Sequence, residues 1–133
     1  MNFERLTNAT QRSILDARTG AKERNHQYVE PAHLLQALLG QTDGLVYPLL
    51  DRVGASPAEL KNRLDSLLAG YPSVYGGEDP TLSRPAVQLF EQADKQRTAF
   101  KDDYLSVEHL LLAMVEAKGP AGEILRDLGV DRD

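Results

Sequence analysis

The sequence predicts an all-α fold, in which two pseudo-twofold related four-helix repeats pack into one domain. Three observations support this prediction. One phrase occurs twice, as YVEPAHLLQAL beginning at Tyr28 and as YLSVEHLLLAM beginning at Tyr104. Leucine and alanine recur at three- and four-residue spacing, which is the period of a helix face, and residues that cap helices precede these segments. At 133 residues the chain has the size of one domain.

The duplication extends well beyond the repeated phrase. After a one-residue deletion, the match resumes between LLDRVG (Leu49–Gly54) and ILRDLG (Ile124–Gly129). We therefore divide the single domain into repeat one (1–69), a connector (70–82) and repeat two (83–133). At a constant shift of 76 residues, the identical pairs are Leu6/Leu82, Ala17/Ala93, Tyr28/Tyr104, His33/His109, Leu34/Leu110, Leu35/Leu111 and Ala37/Ala113.

The first two helices of repeat one are marked by their start signals. Thr7 suits the cap of the first helix, which runs to about Arg24. Pro31 suits the first turn of the second helix, where a missing N–H costs nothing. Their inward faces are predicted at Thr10, Ile14, Ala17 and Ala21, and at Leu34, Leu35, Leu38 and Leu39.

The third and fourth helices of repeat one are separated by a glycine. The third covers Leu45–Val53 and ends at Gly54. In the sequence SPAEL, Ser56 stands at the cap and Glu59 three residues later, which predicts a capping box at the start of the fourth helix. The inward face of the fourth helix is predicted at Leu60, Leu64, Leu67 and Leu68.

Repeat two follows a stretch rich in glycine and proline, Gly70–Thr81. Ser83 caps its first helix, Ser106 caps its second, and a third short helix lies near Ala121–Leu128. The inward positions are predicted at Ala86, Leu89, Phe90, Ala93, Phe100, Leu110, Leu111 and Met114.

The end of the chain breaks the symmetry. Asp131 is the counterpart of Ser56, which caps the fourth helix of repeat one, and the chain stops two residues later. We therefore expect that the fourth helix of repeat two is truncated, and that the chain is a piece of a longer protein.

Composition excludes several classes of partner. The formal net charge is −5, with 20 acidic and 15 basic residues, so a phosphate backbone would be repelled and nucleic acid is not expected. Cysteine is absent, which excludes disulfides and favours a reducing compartment, the cytoplasm. The longest apolar run, Leu110–Val115, is far shorter than the roughly 20 residues of a membrane-spanning helix, so no membrane is expected.

Two histidines and three carboxylates are the candidates for chemistry. His33 and His109 occupy the same place in the two repeats, and they suit either a metal pair or general base, or imidazoles that hydrogen-bond near a helix start. Neither helix carries the H-x-x-x-H spacing of a metal site, which favours the structural interpretation and no bound metal. Asp102, Asp103 and Glu108 suit an acid/base pair, a cation site, a recognition patch or a solvated loop.

Sequence motifs of nucleotide binding and nucleophilic catalysis are absent. The chain has no G-x-x-x-x-G-K-[ST] and no G-x-S-x-G. We therefore expect a domain without a catalytic site or a cofactor. Two helical units that pack together leave a groove on their shared face, and such grooves commonly receive apolar peptide segments.

These features resemble the Clp amino-terminal domain, the double-repeat module at the head of Clp-type AAA+ ATPases. The resemblance rests on two copies of a capped helix, the Tyr-x-x-x-x-His-Leu-Leu phrase and a short helix that ends in glycine, and it covers essentially the whole chain. The stretches FERLT (Phe3–Thr7), EPAHLLQALLGQTDGLVYPLL (Glu30–Leu50) and AELKNRLDSLL (Ala58–Leu68) are most similar to the ClpB-type protein disaggregases.

The resemblance implies a substrate-binding domain ahead of a flexible linker and two ATPase modules. In the disaggregases of this family, the domain captures unfolded or aggregated polypeptide, and the ATPase modules thread it with ATP and Mg²⁺. The domain by itself is then not an enzyme. The resemblance further implies a cytoplasmic homohexameric parent that acts in the stress response, and a fragment that is monomeric alone.

The resemblance also points to individual residues. The family's polar substrate contacts match Thr7, Asp102 and Glu108. ClpC-type domains recognise phosphoarginine through the Glu of each EHLL phrase, but the first copy here has Ala32, so a duplicated phosphoarginine site is not expected. Some members of the family add aliphatic residues that line a groove. The matching positions here are Gln92, Gln96 and His109, which are more polar, so the resemblance implies a less hydrophobic groove.

Three alternatives remain open from the sequence. The first is the docking of a folded adaptor protein, as ClpA- and ClpC-type domains do. The second is a small helical enzyme or metal protein that uses His33, His109 and the carboxylates. The third is a stand-alone regulatory protein that only resembles the module.

Overall fold

Seven α-helices and two short strands make up the part of the chain that the computed structural model describes, residues 3–130. The predicted all-α fold of two related repeats is confirmed. A 3₁₀ turn at Phe3–Arg5 precedes the helices. The helices are α1 (Asn8–Glu23), α2 (Pro31–Leu39), α3 (Val46–Val53), α4 (Pro57–Ala69), α5 (Arg84–Ala99), α6 (Val107–Glu116) and α7 (Pro120–Asp127), and the strands are β1 (Tyr28–Val29) and β2 (Thr81–Leu82).

The helices begin at the residues that the cap signals predict. The side-chain oxygens of Thr7, Ser56 and Ser83 each accept the N–H of the residue three positions later. Complete capping boxes, with bonds in both directions, are found at α2 and α6, whereas at α4, where a box was predicted, only the Ser56 half is formed. There a histidine, His33 or His109, takes the place that glutamate has in the usual box, because its Nδ1 accepts the backbone N–H of the cap residue.

The core lies between the repeats and contains almost all the predicted inward positions. The second helices of the two repeats, α2 and α6, bury Leu34, Leu35, Leu110 and Leu111. One prediction is wrong: Phe100 is 53% exposed. It is the C-cap of α5, one turn beyond the buried Gln96, so its ring lies at the exposed end of the packed face, with its centroid 6.0 Å from that of the His109 ring.

The two repeats exchange short extended segments. Strand β1 pairs in parallel with β2, so that Val29 lies opposite Leu82. An isolated parallel bridge joins Leu6 to Leu105 in the same way. The shift of 76 residues converts one pair into the other, since Leu6 becomes Leu82 and Val29 becomes Leu105. The segment before the first helix of each repeat therefore pairs with the segment before the second helix of the other, as a pseudo-twofold axis requires.

Two predictions about the chain's organisation stay predictions. Asp131, the expected cap of a further helix, lies outside the described residues. The boundaries of the repeats at 69 and 83 are also not tested, although β2 lies at the end of the predicted connector.

Lys101 sits in a backbone conformation that lysine disfavours. Its φ is 58°, in the left-handed region, and its counterpart Asn25 in repeat one has the same φ. Asparagine and glycine tolerate this region better than lysine. We expect Lys101→Gly to raise the free energy of unfolding by about 0.5–1 kcal/mol in urea titrations. Lys95→Gly, on the exposed face of α5, is the control and should lower the free energy of unfolding by about 1 kcal/mol. If both glycine variants stabilise the domain, or both destabilise it, the left-handed conformation of Lys101 is wrong.

Candidate functional site

The first turns of α1 and α6 lie side by side because of the Leu6–Leu105 bridge. The Thr7 N–H donates to the Leu105 carbonyl at 3.0 Å, and the Leu105 N–H donates to the Arg5 carbonyl at 2.8 Å. The Thr10 hydroxyl also donates to the Leu105 carbonyl, at 3.1 Å, and lies 2.8 Å from the Thr7 hydroxyl. Thr7 is thereby held by repeat two, although it belongs to repeat one.

Asp102 is fixed by bonds on both sides of its backbone and by its side chain. Its N–H donates to the Arg97 carbonyl at 3.0 Å, and its carbonyl accepts from the Arg97 guanidinium at 3.0 Å. Its carboxylate lies 2.8 Å from Nε2 of the buried His109. Since His109 Nδ1 accepts the Ser106 N–H, the hydrogen is on Nε2, which donates to Asp102. The carboxylate still keeps about half of its surface exposed, at 52%.

Glu108 completes a group of polar side chains at this end of the fold. It is the second residue of α6 and is exposed, where the helix dipole favours a negative charge. We refer to Thr7, Asp102 and Glu108 as the polar face. Thr7 and Glu108 thus lie at the starts of the neighbouring helices α1 and α6, and Asp102, from the turn after α5, is bonded to His109 in the first turn of α6.

A groove adjoins the polar face at Leu105. It has a volume of about 610 Å³. We call it the Leu105 groove. Its apolar lining comes from both repeats, and charged residues of α5 line it too. The lining residues are Arg5, Leu6, Leu82, Val87, Phe90, Glu91, Asp94, Arg97 and Leu105.

The three groove positions that the resemblance indicates, Gln92, Gln96 and His109, lie outside the Leu105 groove. Gln92 is exposed, but it lines a different groove of about 350 Å³ between α5 and the end of α6. Gln96 and His109 are buried, so their side chains lie beneath the surface. The apolar lining of the Leu105 groove could not be predicted from the sequence, since Leu6, Phe90 and Leu105 lie at positions where a core residue and a groove residue have the same hydrophobic pattern.

Repeat one has a different surface at the corresponding place. The counterparts of Asp102 and Glu108 are His26 and Ala32, and both are buried. His26 Nδ1 lies 2.8 Å from His33 Nε2, so a neutral ring replaces the carboxylate partner. Within residues 3–130, repeat one therefore lacks the carboxylates that Asp102 and Glu108 contribute to the polar face. The prediction that the repeated histidines bond near helix starts is confirmed by these contacts.

The part of the chain that the structure describes contains neither a cluster of metal ligands nor a membrane-spanning helix. Between residues 3 and 130, no three His, Asp or Glu side chains are grouped in a way that would hold a metal ion. Each helix in this range is too short or too polar to cross a lipid bilayer.

The chain is similar to the N-terminal regions of much longer proteins. It is 39% identical over 131 residues to the chaperone protein ClpB of Vibrio cholerae serotype O1, which covers 98% of this chain and 15% of that protein. The chaperone protein ClpB of Bacillus cereus is 34% identical over 137 residues, covering 100% of this chain and 16% of that protein. The chain therefore spans about one sixth of the length of these relatives.

Solved structures share the fold. The Hsp104 N-terminal domain from Candida albicans has a TM-score of 0.84 at 23% identity, over 96% of this chain and 84% of that one. A ClpV N-domain in complex with a VipB peptide has a TM-score of 0.76 at 17% identity, over 95% and 80% of the two chains. The sequence profile described as the Clp repeat (R) N-terminal domain matches residues 5–128. With its double repeat, its exchanged strand pairs and this match, the chain belongs to the Clp repeat N-terminal domain family.

Proposed function

We propose that this domain captures unfolded or aggregated polypeptide for a ClpB-like AAA+ disaggregase, whose ATPase modules then thread the captured segment with ATP and Mg²⁺. The domain itself is not an enzyme in this proposal and holds no cofactor. Capture is weak and reversible, so that a bound segment is handed on. The parent is a cytoplasmic homohexamer, and the domain alone is monomeric.

The observation that carries this proposal is that two residues lining the Leu105 groove bond to the polar face: the Leu105 carbonyl accepts the Thr7 N–H, and the Arg97 guanidinium donates to the Asp102 carbonyl. An unfolded segment exposes backbone N–H groups and apolar side chains together. The hydroxyl of Thr7 and the carboxylates of Asp102 and Glu108 can accept hydrogen bonds, while Val87 and Leu82 offer apolar surface in the adjoining groove. A site with both features binds a wide range of segments without reading one sequence.

The negative charge near the site favours polypeptide segments that carry positive charge. Asp102, Asp103 and Glu108 are exposed acidic groups at one end of a domain with a formal charge of −5. Complementary potentials raise association rates and select partners. We therefore expect the site to prefer segments in which lysine or arginine stands beside apolar residues, and we expect binding to weaken with salt.

The comparisons support a role in protein binding. A ClpV N-domain of the same fold has been solved with a VipB peptide, and the curated relatives are chaperones. These are properties of the similar proteins, and we infer peptide capture by this chain from them as part of the proposal.

Glu108→Gln is expected to weaken the binding of an unfolded, lysine-rich polypeptide. The variant keeps the size of the side chain and removes one exposed charge, which is worth up to about 1 kcal/mol, or roughly a fivefold rise in Kd. The measurement is a titration of a reduced and alkylated polypeptide against ¹⁵N-labelled domain, followed by backbone amide signals. Glu59→Gln is the matched control, because Glu59 lies in the first turn of α4 at a different face.

The same titration separates the proposal from its rivals. Amide shifts should concentrate around Thr7, Leu105 and Glu108. An unchanged spectrum near these residues at saturating polypeptide would overturn the site. If a folded adaptor shifts them and unfolded chains do not, the domain is an adaptor-docking module instead.

A further inference from the structure

Two buried histidines of repeat one form a hydrogen-bonded chain. The Glu30 N–H donates to His33 Nδ1 at 2.8 Å, so His33 is neutral and carries its hydrogen on Nε2. That hydrogen points at His26 Nδ1, also 2.8 Å away. The lone pairs of His33 Nδ1 and His26 Nδ1 are therefore both engaged as acceptors. A further proton on either atom breaks one of the two bonds.

The turn that carries His26 also holds the connector, residues 70–82. Three carbonyls beside His26 accept hydrogen bonds from it. The Arg24 carbonyl accepts from the Ser73 hydroxyl at 3.2 Å, the Asn25 carbonyl from the Val74 N–H at 2.7 Å, and the Gln27 carbonyl from the Thr81 N–H at 3.4 Å. The connector's Tyr71 ring also packs against both histidines, with ring centroids 5.6 and 5.9 Å away.

We propose that the His26–His33 pair is an acid-sensitive latch, which holds the connector on repeat one while both rings are neutral and releases it when the pair takes up a proton. The moving part is the connector and the turn at residues 24–27. The helices of both repeats keep their packing, since the connector lies on their surface. The proposal is independent of polypeptide capture.

The surroundings oppose a positive charge on the pair. Burial lowers the pKa of His33 to about 4, and the neighbouring His26 and Arg24 act in the same direction. Burial, followed by Arg24, lowers the pKa of His26 as well. Two ion pairs lie near the histidines: Arg24 is bound to Asp65 at 3.4 Å, and Lys22 is bound to Asp79 at 2.8 Å. The charged and titratable groups around the pair are Lys22, Arg24, Glu30, Asp65, Tyr71, Glu78 and Asp79.

The equivalent histidine of repeat two, His109, has a different partner and serves as an internal control for the His26–His33 pair. At the place of His26 repeat two has Asp102, whose carboxylate receives the His109 Nε2–H at 2.8 Å. The capping histidine of repeat two therefore faces a negative group, whereas that of repeat one faces a second imidazole, with the Arg24 guanidinium nearby. The same capping histidine is thus placed in an acid-sensitive setting in one repeat and beside a compensating charge in the other.

Hydrogen exchange of the unmodified domain tests the latch. The open form binds protons near the ordinary histidine pKa of 6.5 and the closed form only near 4, so the latch is closed above about pH 6.5 and opens progressively as the pH falls toward 4. After correction for intrinsic exchange, protection of the Val74 amide should fall about 30-fold from pH 7.5 to pH 5. Protection of the Thr7 amide, which repeat two holds, should not change. Unchanged protection of Val74, or an equal loss at Thr7 and in the core, overturns the proposal.

His26→Asp tests which group is responsible. The variant gives repeat one the partner that repeat two has, so the Val74 amide should keep its protection at pH 5. If the variant loses protection as strongly as the unmodified domain, the pair is not the latch. Should the variant fail to fold, ¹⁵N spectra of the imidazoles in the unmodified domain decide, because the proposal requires His33 to remain Nε2–H and neutral at pH 6, and ordinary titration there overturns it.

Discussion

Leu35→Ala is expected to lower the free energy of unfolding by about 2–5 kcal/mol. Leu35 is fully buried in α2, which packs on α1 and α4 and also contacts α7. The substitution removes buried apolar carbons, and the free energy gained by transferring them from water is lost. It also leaves a cavity, because the helices packed around Leu35 cannot all move inward to fill it. Since a domain of this size unfolds with about 5–15 kcal/mol, the loss should appear as a fall in Tm of roughly 10 °C.

The chain offers a close control for this substitution. Leu15→Ala also shortens a helical leucine, but Leu15 is 50% exposed on α1, so its effect should stay within about 0.5 kcal/mol. Leu111→Ala, at the equivalent place in repeat two, should cost about as much as Leu35→Ala. Urea unfolding of the three variants measures the differences. A cost below about 1 kcal/mol for Leu35→Ala would show that α2 is not at the centre of the core.

Gly122→Ala is expected to destabilise the domain by about 1–3 kcal/mol, an unusual result for a helical glycine. A Cβ at this position would lie 2.3 Å from the Ala117 carbonyl oxygen and 2.8 Å from that of Met114. Both atoms belong to the backbone at the end of α6, so relief requires α6 and α7 to separate. Calorimetric or urea unfolding gives the sign directly.

Gly20→Ala is the matched variant with the opposite expected sign. Gly20 lies in α1, where an added Cβ meets only Gln36 Oε1 at an ordinary 3.7 Å. Alanine is the better helix former by about 1 kcal/mol, so this variant should stabilise the domain. If both alanine variants stabilise, the close approach at Gly122 is wrong.

The role of Gly122 explains why the two repeats differ near the ends of α2 and α6. In repeat one the Tyr47 hydroxyl donates to the Leu39 carbonyl at 2.5 Å. At the matching place in repeat two, the Arg126 guanidinium donates to the Val115 carbonyl at 2.6 Å. Gly122 replaces Tyr47 in the alignment, so the smaller residue leaves room for the arginine. The repeated carbonyl is satisfied in both halves by different residues, which is how a buried polar group persists through a duplication.

Local signals predicted most of the helices. Thr7, Ser83 and Ser106 are caps because a side-chain oxygen beside free N–H groups is a property of a few adjacent residues. The leucine stripes are equally local, since a period of three and four residues defines one face. The wrong assignment of Phe100 arose at the end of such a stripe, where periodicity cannot say how far the neighbouring helix reaches.

The candidate site depended on contacts that no local pattern contains. Asp102 was expected on a recognition surface from the resemblance, but its bond to His109 joins residues from a turn and a helix. The Leu105 groove was not predicted, because its apolar residues come from four separate segments. The predicted roles of Thr7, Asp102 and Glu108 in binding stay predictions, to be tested by the titration above.

Residue identity and spacing alone are enough to predict the duplication, the helical class, the caps and the acidic balance. The partner of each histidine, and the carbonyl that each connector residue reaches, depend on how distant segments pack in the folded domain. His33 and His109 stand in nearly the same phrase, yet one faces an imidazole and the other a carboxylate. Their difference comes from residues seven positions earlier, which folding brings within 2.8 Å of the rings.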